Sequence, residues 1–439
     1  MDSTKIALDN NIYMDKLQNI ARITLLFVLA GVPLVFIPIG GNFDQFFLPK
    51  VLVLFILDLG FYVMMFINYK KIDKFVDNDI TNKLLLVYFA LLIVSLFFTD
   101  NLIFAVFGRP DRSEGIITFL IYMTLFLIGR YSKISDNRFY TAIIYAAVIV
   151  SIYGILQYHG FDPFPRNYRT LDYGKSAFST MGNSNFLGSY LVLMIPVTVY
   201  LYIIKKRNFG LLSYSVLLYC LLCSRTRGAW LGTMLSAMCF VILHIISDRN
   251  FKYYLKRYFV IILISIIIML LFNLLSDGGL VNRFLSILLD ANEFLSGGDK
   301  SDYTGSHRGF IWKRVIELIK SRPLTGYGIE NLGETFIKYY SNDMIEFWGE
   351  PRYVDKTHND FLNIAVTTGV PSMIIYLSFV FSAINKGIKN LQNNMGLLLL
   401  PSVLGYLAAI FFNISVTSVA YVYWVFLGMI ASSTIKSEL

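Results

Sequence analysis

Apolar runs of about 20 residues recur from one end of the chain to the other, separated by short polar stretches and one long one. Windows of about 19 residues place spans near 20–39, 48–68, 83–99, 115–130, 139–158, 184–204, 209–223, 228–247, 258–276, 358–384, 394–412 and 415–435. The pattern predicts an all-α, polytopic membrane protein with about 12 transmembrane helices and one large extracytoplasmic loop. Three segments follow: a membrane domain over 1–276 with the first nine helices, the loop over 277–357, and a membrane domain over 358–439 with the last three. The start, MDSTKIALDNNIYMDKLQNI, is polar, and no small-residue cleavage site follows the first span, which is therefore expected to be retained.

The long loop has a pattern of its own. SGGDKSDYTGS (296–306) reads as a mobile linker. In RGFIWKRVIELIKSRP, Ile311, Trp312, Val315, Ile316 and Ile319 recur at helical spacing with basic residues opposite. That predicts an amphipathic helix lying on the membrane surface like a lid. Pro323 and the glycines of LTGYGIENLG end it, and a second short helix begins at NLGETFIKYY. T-G-Y-G in that turn is a single copy without a pore helix, which speaks against a potassium filter.

Composition agrees with a membrane class: 439 residues, 56% hydrophobic, 15% charged, mean hydropathy +0.59. The net charge of +9 needs no nucleic acid, because cytoplasmic loops of membrane proteins are basic. Lys70, Lys71, Lys74, Lys83, Arg130, Lys133, Arg138, Lys205, Lys206, Arg207, Arg249, Lys252, Lys256, Arg257, Lys386 and Lys389 fall in alternate loops, which should face the cytoplasm with both termini. The other loops, 277–357 among them, then face outward. Cys220, Cys223 and Cys239 lie in apolar helices without a histidine at metal-site spacing and read as small buried hydrophobes.

Candidate chemistry sits in the outward loops. Arg225 and Arg227, in the turn SRTRGAWLG, are costly near hydrocarbon and call for an anionic partner. At a helix N-terminus their guanidinium forks are joined by free backbone N–H groups, a combination that suits phosphate or pyrophosphate. Arg308, before the lid helix, and Arg109 with Arg112 in GRPDRSEG are further candidates. The D-x-D of Asp77 and Asp79 belongs to a cytoplasmic loop and reads as a solvated charge cluster. An enzyme acting on a pyrophosphate here would have arginines in place of a divalent ion. His358, where the loop ends and an apolar helix begins, is either an interfacial side chain or, in the company of these arginines, a base.

Taken in order, these segments resemble the O-antigen ligase and O-antigen polymerase superfamily. The resemblance rests on Arg227, three residues, then Leu231; a large outward loop; and His358, Asn359, nine residues, then Gly369. FGRPDRSEG, FSTMGNSNFLGSYLVLMIP (178–196) and HRGFIWKRVIELIKSRPLTGYGIENL support it, over about residues 100–375. Val370, Pro371 and Ser372 after Gly369 depart from the ending the family often shows.

The resemblance implies a GT-C-type glycosyltransferase at the outer face of the cytoplasmic membrane, without nucleotide sugar, metal or other cofactor. It would move a glycan from undecaprenyl pyrophosphate to an acceptor hydroxyl on a glycan, lipid or protein. Arg225, Arg227 and Arg308 would stabilise the leaving pyrophosphate, and His358 would take the hydroxyl proton. Asn359 or Asp360 would orient the imidazole or hold sugar, and Asn183 and Asn185 would contact glycan or backbone. Polymerisation of a surface polysaccharide is the first expectation and ligation of a finished glycan the alternative; chain-length regulators or flippases are conceivable partners. A lipid-linked glycan flippase is the second alternative, against which stands the lack of convincing internal halves.

Overall fold

The computed structural model describes residues 17–39, 44–67, 79–132, 134, 136–164, 176–248, 250–276, 279–296, 301–391 and 395–432. Lys70, Lys71, Lys74, Asp77, Lys133, Arg249 and the linker residues 297–300 lie outside that set.

Without water, a backbone amide must be satisfied within its own segment, so long apolar runs become helices. The described residues contain no strand. Among the described residues, eight helices are long and apolar enough to cross a membrane: α1 (Leu17–Leu34), α2 (Phe47–Ile67), α3 (Ile80–Phe98), α6 (Asn137–Tyr158), α7 (Ser184–Ile203), α9 (Arg227–Ser247), α10 (Phe251–Leu275) and α15 (Val370–Lys389). Four shorter apolar helices complete the set: α5 (Ile116–Tyr131), α8 (Asn208–Ser224), α16 (Met395–Phe411) and α17 (Ala420–Ile430). A short α4 (Leu102–Phe107) leads into the GRPDRSEG turn. The long loop holds α11 (Gly279–Ser296), α12 (Thr304–Ser321) and α13 (Leu332–Trp348), and α14 (Asp360–Thr368) precedes α15.

One expected span is divided. The run 358–384 breaks at Gly369, whose φ of 89° ends α14. The N–H of Val370 leaves the helical ladder and donates to the Pro323 carbonyl at 2.8 Å, and Pro371 then starts α15. The T-G-Y-G turn docks in the same place: Tyr327 and Gly328 donate their N–H groups to the carbonyls of Val366 and Thr367. A Cβ on Gly326 would stand 2.6 Å from the Thr367 backbone, so this close approach requires glycine.

Helices in lipid gain nothing from hiding apolar surface from one another, so small residues that let backbones touch decide the pairing. Gly232 of α9 faces Gly405 of α16; a Cβ at either would stand within 2.7 Å of the other's carbonyl oxygen. Gly129 of α5 and Gly428 of α17 serve the same purpose on the other side of the bundle. Of the most apolar window of α7, 94% is buried inside the protein, against 6% for α10. Thus α7 is the central post, and α10 is a peripheral helix whose side chains face outward.

The end of the bundle away from the long loop is braced by charge. Asp79 accepts from the Thr81 N–H at 2.6 Å, capping α3, and pairs with Arg130 of α5 and Lys386 of α15. The solvated cluster expected at the D-x-D is therefore, at Asp79, a half-buried knot tying three helices. Arg130 is the physical reason: a guanidinium buried in the bundle must be paired.

The long loop builds a small core of its own. Phe310, Ile311, Val315 and Leu318 of α12 pack with Leu332, Phe336 and Met344 of α13, Val354, and Val366 of α14. The apolar face of α12 is thereby covered by protein and not by lipid, contrary to the surface-lying helix expected; of its predicted stripe, Ile316 is the exposed member. Residues 301–306, expected in a linker, form a 3₁₀ turn and the start of α12, with Asp302 paired to Arg314 at 3.2 Å and also to Lys313. α11, for which the sequence reading had no helix, adds a third amphipathic element between α10 and α12.

Candidate functional site

Alternating helices bring one set of turns to the loop end of the bundle: Gly108–Gly115, Ser224–Arg227, the long loop, and 413–419. Their cross-links are specific. The Thr417 hydroxyl donates to the Arg112 carbonyl at 2.9 Å, the Ser415 N–H to Asp360 at 3.1 Å, and the Thr226 hydroxyl to the Ser184 carbonyl at 2.9 Å.

The arginine turn is held in an unfavourable conformation. Arg225 ends α8 with φ 55°, a left-handed geometry that costs a non-glycine residue about 1–2 kcal/mol. Thr226 is the N-cap of α9, yet its hydroxyl bonds the carbonyls of Ser184 and Ser224, so no side chain caps the first turn of α9. The helix N-terminus thus presents uncapped N–H groups beside two guanidinium groups.

Two more arginines join them. Arg283 of α11 donates to the Arg225 carbonyl at 2.5 Å, and burial and then Arg225 and Arg227 lower its pKa. Arg308, in the first turns of α12, is lowered to about 10 by burial and then by Arg227, with Asp290 acting against them. Arg227 donates to Ser286 at 3.0 Å and to Asp290 at 2.7 Å. No hydrogen bond or ion pair to a described residue holds the Arg225 or Arg308 side chain. Four guanidinium groups against Asp290 leave an excess of positive charge, which is the electrostatics of an anion seat.

His358 stands next to that seat. Its φ is 53°, left-handed like Arg225, and its Nδ1 is enclosed without a hydrogen-bond partner among the described residues. Burial lowers its pKa to about 4, with Arg308 and Arg112 pushing the same way and Asp355 opposing. The imidazole is therefore neutral at pH 7, with a lone pair free to accept a proton but a weaker basicity than a histidine titrating near neutrality.

The segment before His358 is clasped from both sides. Asp355 accepts from Arg112 at 2.7 Å, while Lys356, buried, donates to Glu330 at 2.6 Å and pairs with Glu114 at 3.5 Å. Burial alone would raise Asp355, but Arg112 holds it at about 2; burial would lower Lys356, but Glu330 and Glu114 raise it. Trp312 of α12 adds a bond to the Thr357 carbonyl at 2.9 Å. Glu114, Glu330, Lys356 and Asp360 line a cavity of about 40 Å³ with Tyr122 and Trp424. There burial raises Glu114 to about 7 and Asp360 to about 6.

Of the residues singled out in the sequence, Arg225, Arg227, Arg308 and His358 converge, and Arg112 reaches His358 electrostatically. Arg109 sits further out, paired with Asp111 at 3.0 Å and stacked 4.0 Å over Tyr353. Asn183 caps α7 through the Asn185 N–H at 2.8 Å, and this helix start abuts Thr226. Asn359 caps α14 through the Leu362 N–H at 3.0 Å, and Asp360 turns toward Ser415 and the cavity. The carboxylate that acts on His358 is Asp355, which sequence reasoning missed, as it missed Arg283 and Lys356. Arg283 had a visible signal: it lies on a run, GLVNRFLSILLDANEFLS, whose apolar residues keep helical spacing. Among the described residues no three His, Cys, Asp or Glu side chains stand in metal-holding proximity.

Residues 212–377 match the family model described as O-Antigen ligase. A "Putative polysaccharide ligase" of Rickettsia felis is 24% identical over 235 residues, 51% of this chain and 53% of that protein. A protein of Rickettsia conorii described in the same words is 24% identical over 235 residues, and one of Rickettsia bellii 25% over 192. The chain spans about half the length of these curated relatives. The matched stretch contains the arginine turn, the long loop and His358. Over this stretch the chain is similar to the O-antigen ligase and polymerase superfamily, and its apolar helices are those of a multi-pass membrane protein.

Proposed function

We propose that this protein transfers a glycan from a polyprenyl pyrophosphate, of the undecaprenyl kind, to an acceptor hydroxyl at the outward face of the cytoplasmic membrane. The observation that carries the reading is the convergence of Arg225, Arg227, Arg283 and Arg308 beside a neutral His358.

In the step, the bond between the anomeric carbon and the phosphate oxygen breaks, and its electrons leave with the pyrophosphate. The guanidinium groups and the uncapped start of α9 stabilise that charge as it develops. The acceptor oxygen forms the new glycosidic bond and gives its proton to His358, whose imidazolium then faces Asp355. Neutralisation of the leaving group by arginines needs no resident metal, and this part of the proposal is tested by adding a chelator.

Ligation of a preassembled glycan is favoured over polymerisation, because the relatives are described as polysaccharide ligases. In nanodiscs with a lipid-linked glycan and a candidate acceptor, His358→Ala and Arg227→Ala should fold and lose about 10²-fold or more in transfer. Wild-type rates in either would sink that residue's role, and glycan movement across the bilayer without a new bond would establish a flippase instead.

A further inference from the structure

The anion seat already holds an anion. Asp290, one turn beyond Ser286 on α11, places Oδ2 2.7 Å from Nη1 of Arg227 and 3.2 Å from the N–H of Gly305, in the first turn of α12. Ser286 accepts from the same Nη1 at 3.0 Å. A guanidinium and a helix N-terminal N–H converging on one carboxylate oxygen is how such a seat would take a phosphate oxygen.

α11 meets the rest of the protein mainly through its polar side. Arg283, Ser286 and Asp290 face the protein, whereas Val281, Phe284, Leu285 and Leu289 are exposed on the opposite side. A helix with its polar side inward and its apolar side outward is at home against lipid, and α11 is held to the protein by these polar contacts and, at its start, by Leu280 against the core. Asp290 is among these, and a half-exposed pair of this kind is weak.

We propose that Asp290 is a resident counter-anion that the donor's pyrophosphate displaces, so that donor binding proceeds by exchange and Asp290 sets donor affinity. The proposal rests on the arginines being the donor seat. A pyrophosphate carries several charges where the carboxylate carries one, which favours it in the exchange for Arg227.

The test uses full-length protein in nanodiscs at fixed ionic strength, with inorganic pyrophosphate as probe in calorimetry and the KM for lipid-linked donor as second readout. Asp290→Asn should bind pyrophosphate about five- to tenfold more tightly and lower the donor KM, and Asp290→Glu should resemble wild type. Asp290→Ser carries the same expectation as Asp290→Asn should the latter misfold. Unchanged or weaker binding in Asp290→Asn, with Arg227→Ala weakened, would make Asp290 an ordinary brace and overturn the proposal while leaving the seat. Binding unaffected by both Arg227→Ala and Arg308→Ala would take down the seat and the proposal together.

Discussion

α11 and α12 are neighbours in the long loop, both amphipathic, and each sends an arginine toward the same cluster, yet they treat their apolar faces in opposite ways. α12 buries Phe310, Ile311, Val315 and Leu318 in a core shared with α13 and α14, while α11 leaves Val281, Phe284, Leu285 and Leu289 exposed. α12 therefore belongs to a folded unit that holds Arg308 and, through Trp312, the backbone beside His358. α11 is attached by polar contacts and by Leu280, which packs against the membrane core. Amphipathicity alone does not say which side of a helix meets protein; the partner surface decides, and here the apolar face of α12 has one while that of α11 is exposed.

The sharpest way to break the contrast is to remove one aromatic ring from each helix. Phe310→Ala should cost the loop core about 3–5 kcal/mol, whereas Phe284→Ala should cost less than about 0.5 kcal/mol, both read as unfolding midpoints in detergent. Equal losses would mean that the α11 face is packed in solution.

The arginines separate the helices next. His358 is neutral above its lowered pKa of about 4, so transfer should fall only as pH drops toward that value. Arg308→Gln removes a positive neighbour, raises the imidazole pKa and moves the acidic limb of kcat/KM to higher pH, on top of a lower rate. Arg283→Gln, acting on Arg225 and Arg227, should leave the limb in place. A limb that moves with both variants would join the two helices into one electrostatic unit.

A smaller effect follows from Trp312→Phe, which loses the bond to the Thr357 carbonyl and should cost about 1 kcal/mol in transfer, a several-fold drop in kcat with donor KM unchanged. Smallest is a spectroscopic difference: tryptophan at Phe284 should be quenched by brominated lipid chains, while native Trp312 should not. Quenching of both would return α12 to the membrane surface.

Much of this was legible in sequence because hydropathy and helix length are local properties. Eleven of the twelve apolar runs each became one helix, and the Arg227 and His358 motifs both lie beside Arg308. The break at Gly369 was written in T-T-G-V-P but hidden by the apolar residues on both sides, which satisfy a length criterion whether or not the helix is continuous. α11 escaped because Asn282, Arg283 and Asp290 lower its hydropathy below that of a span, and a loop was the default reading. The membrane placement of α12 failed for the reason the two helices teach: periodicity marks an apolar face but not its partner. Asp355 and Lys356 were invisible because their partners, Arg112, Glu114 and Glu330, are distant in sequence or belong to other turns.

The clasp before His358 also works as a ruler. Asp355 meets Arg112 and Lys356 meets Glu114, so two adjacent residues of opposite sign grip two nearby residues of opposite sign on another strand of loop. Sliding the segment by one residue would set Lys356 toward Arg112, repelling where the native alignment attracts. The mismatch penalises every register but one, and the imidazole is delivered to the same coordinate each time the chain folds, even though it sits at the end of a loop some eighty residues long. Reversing one pair should misplace the base, whereas exchanging the charges of both partners of a pair should bring it back.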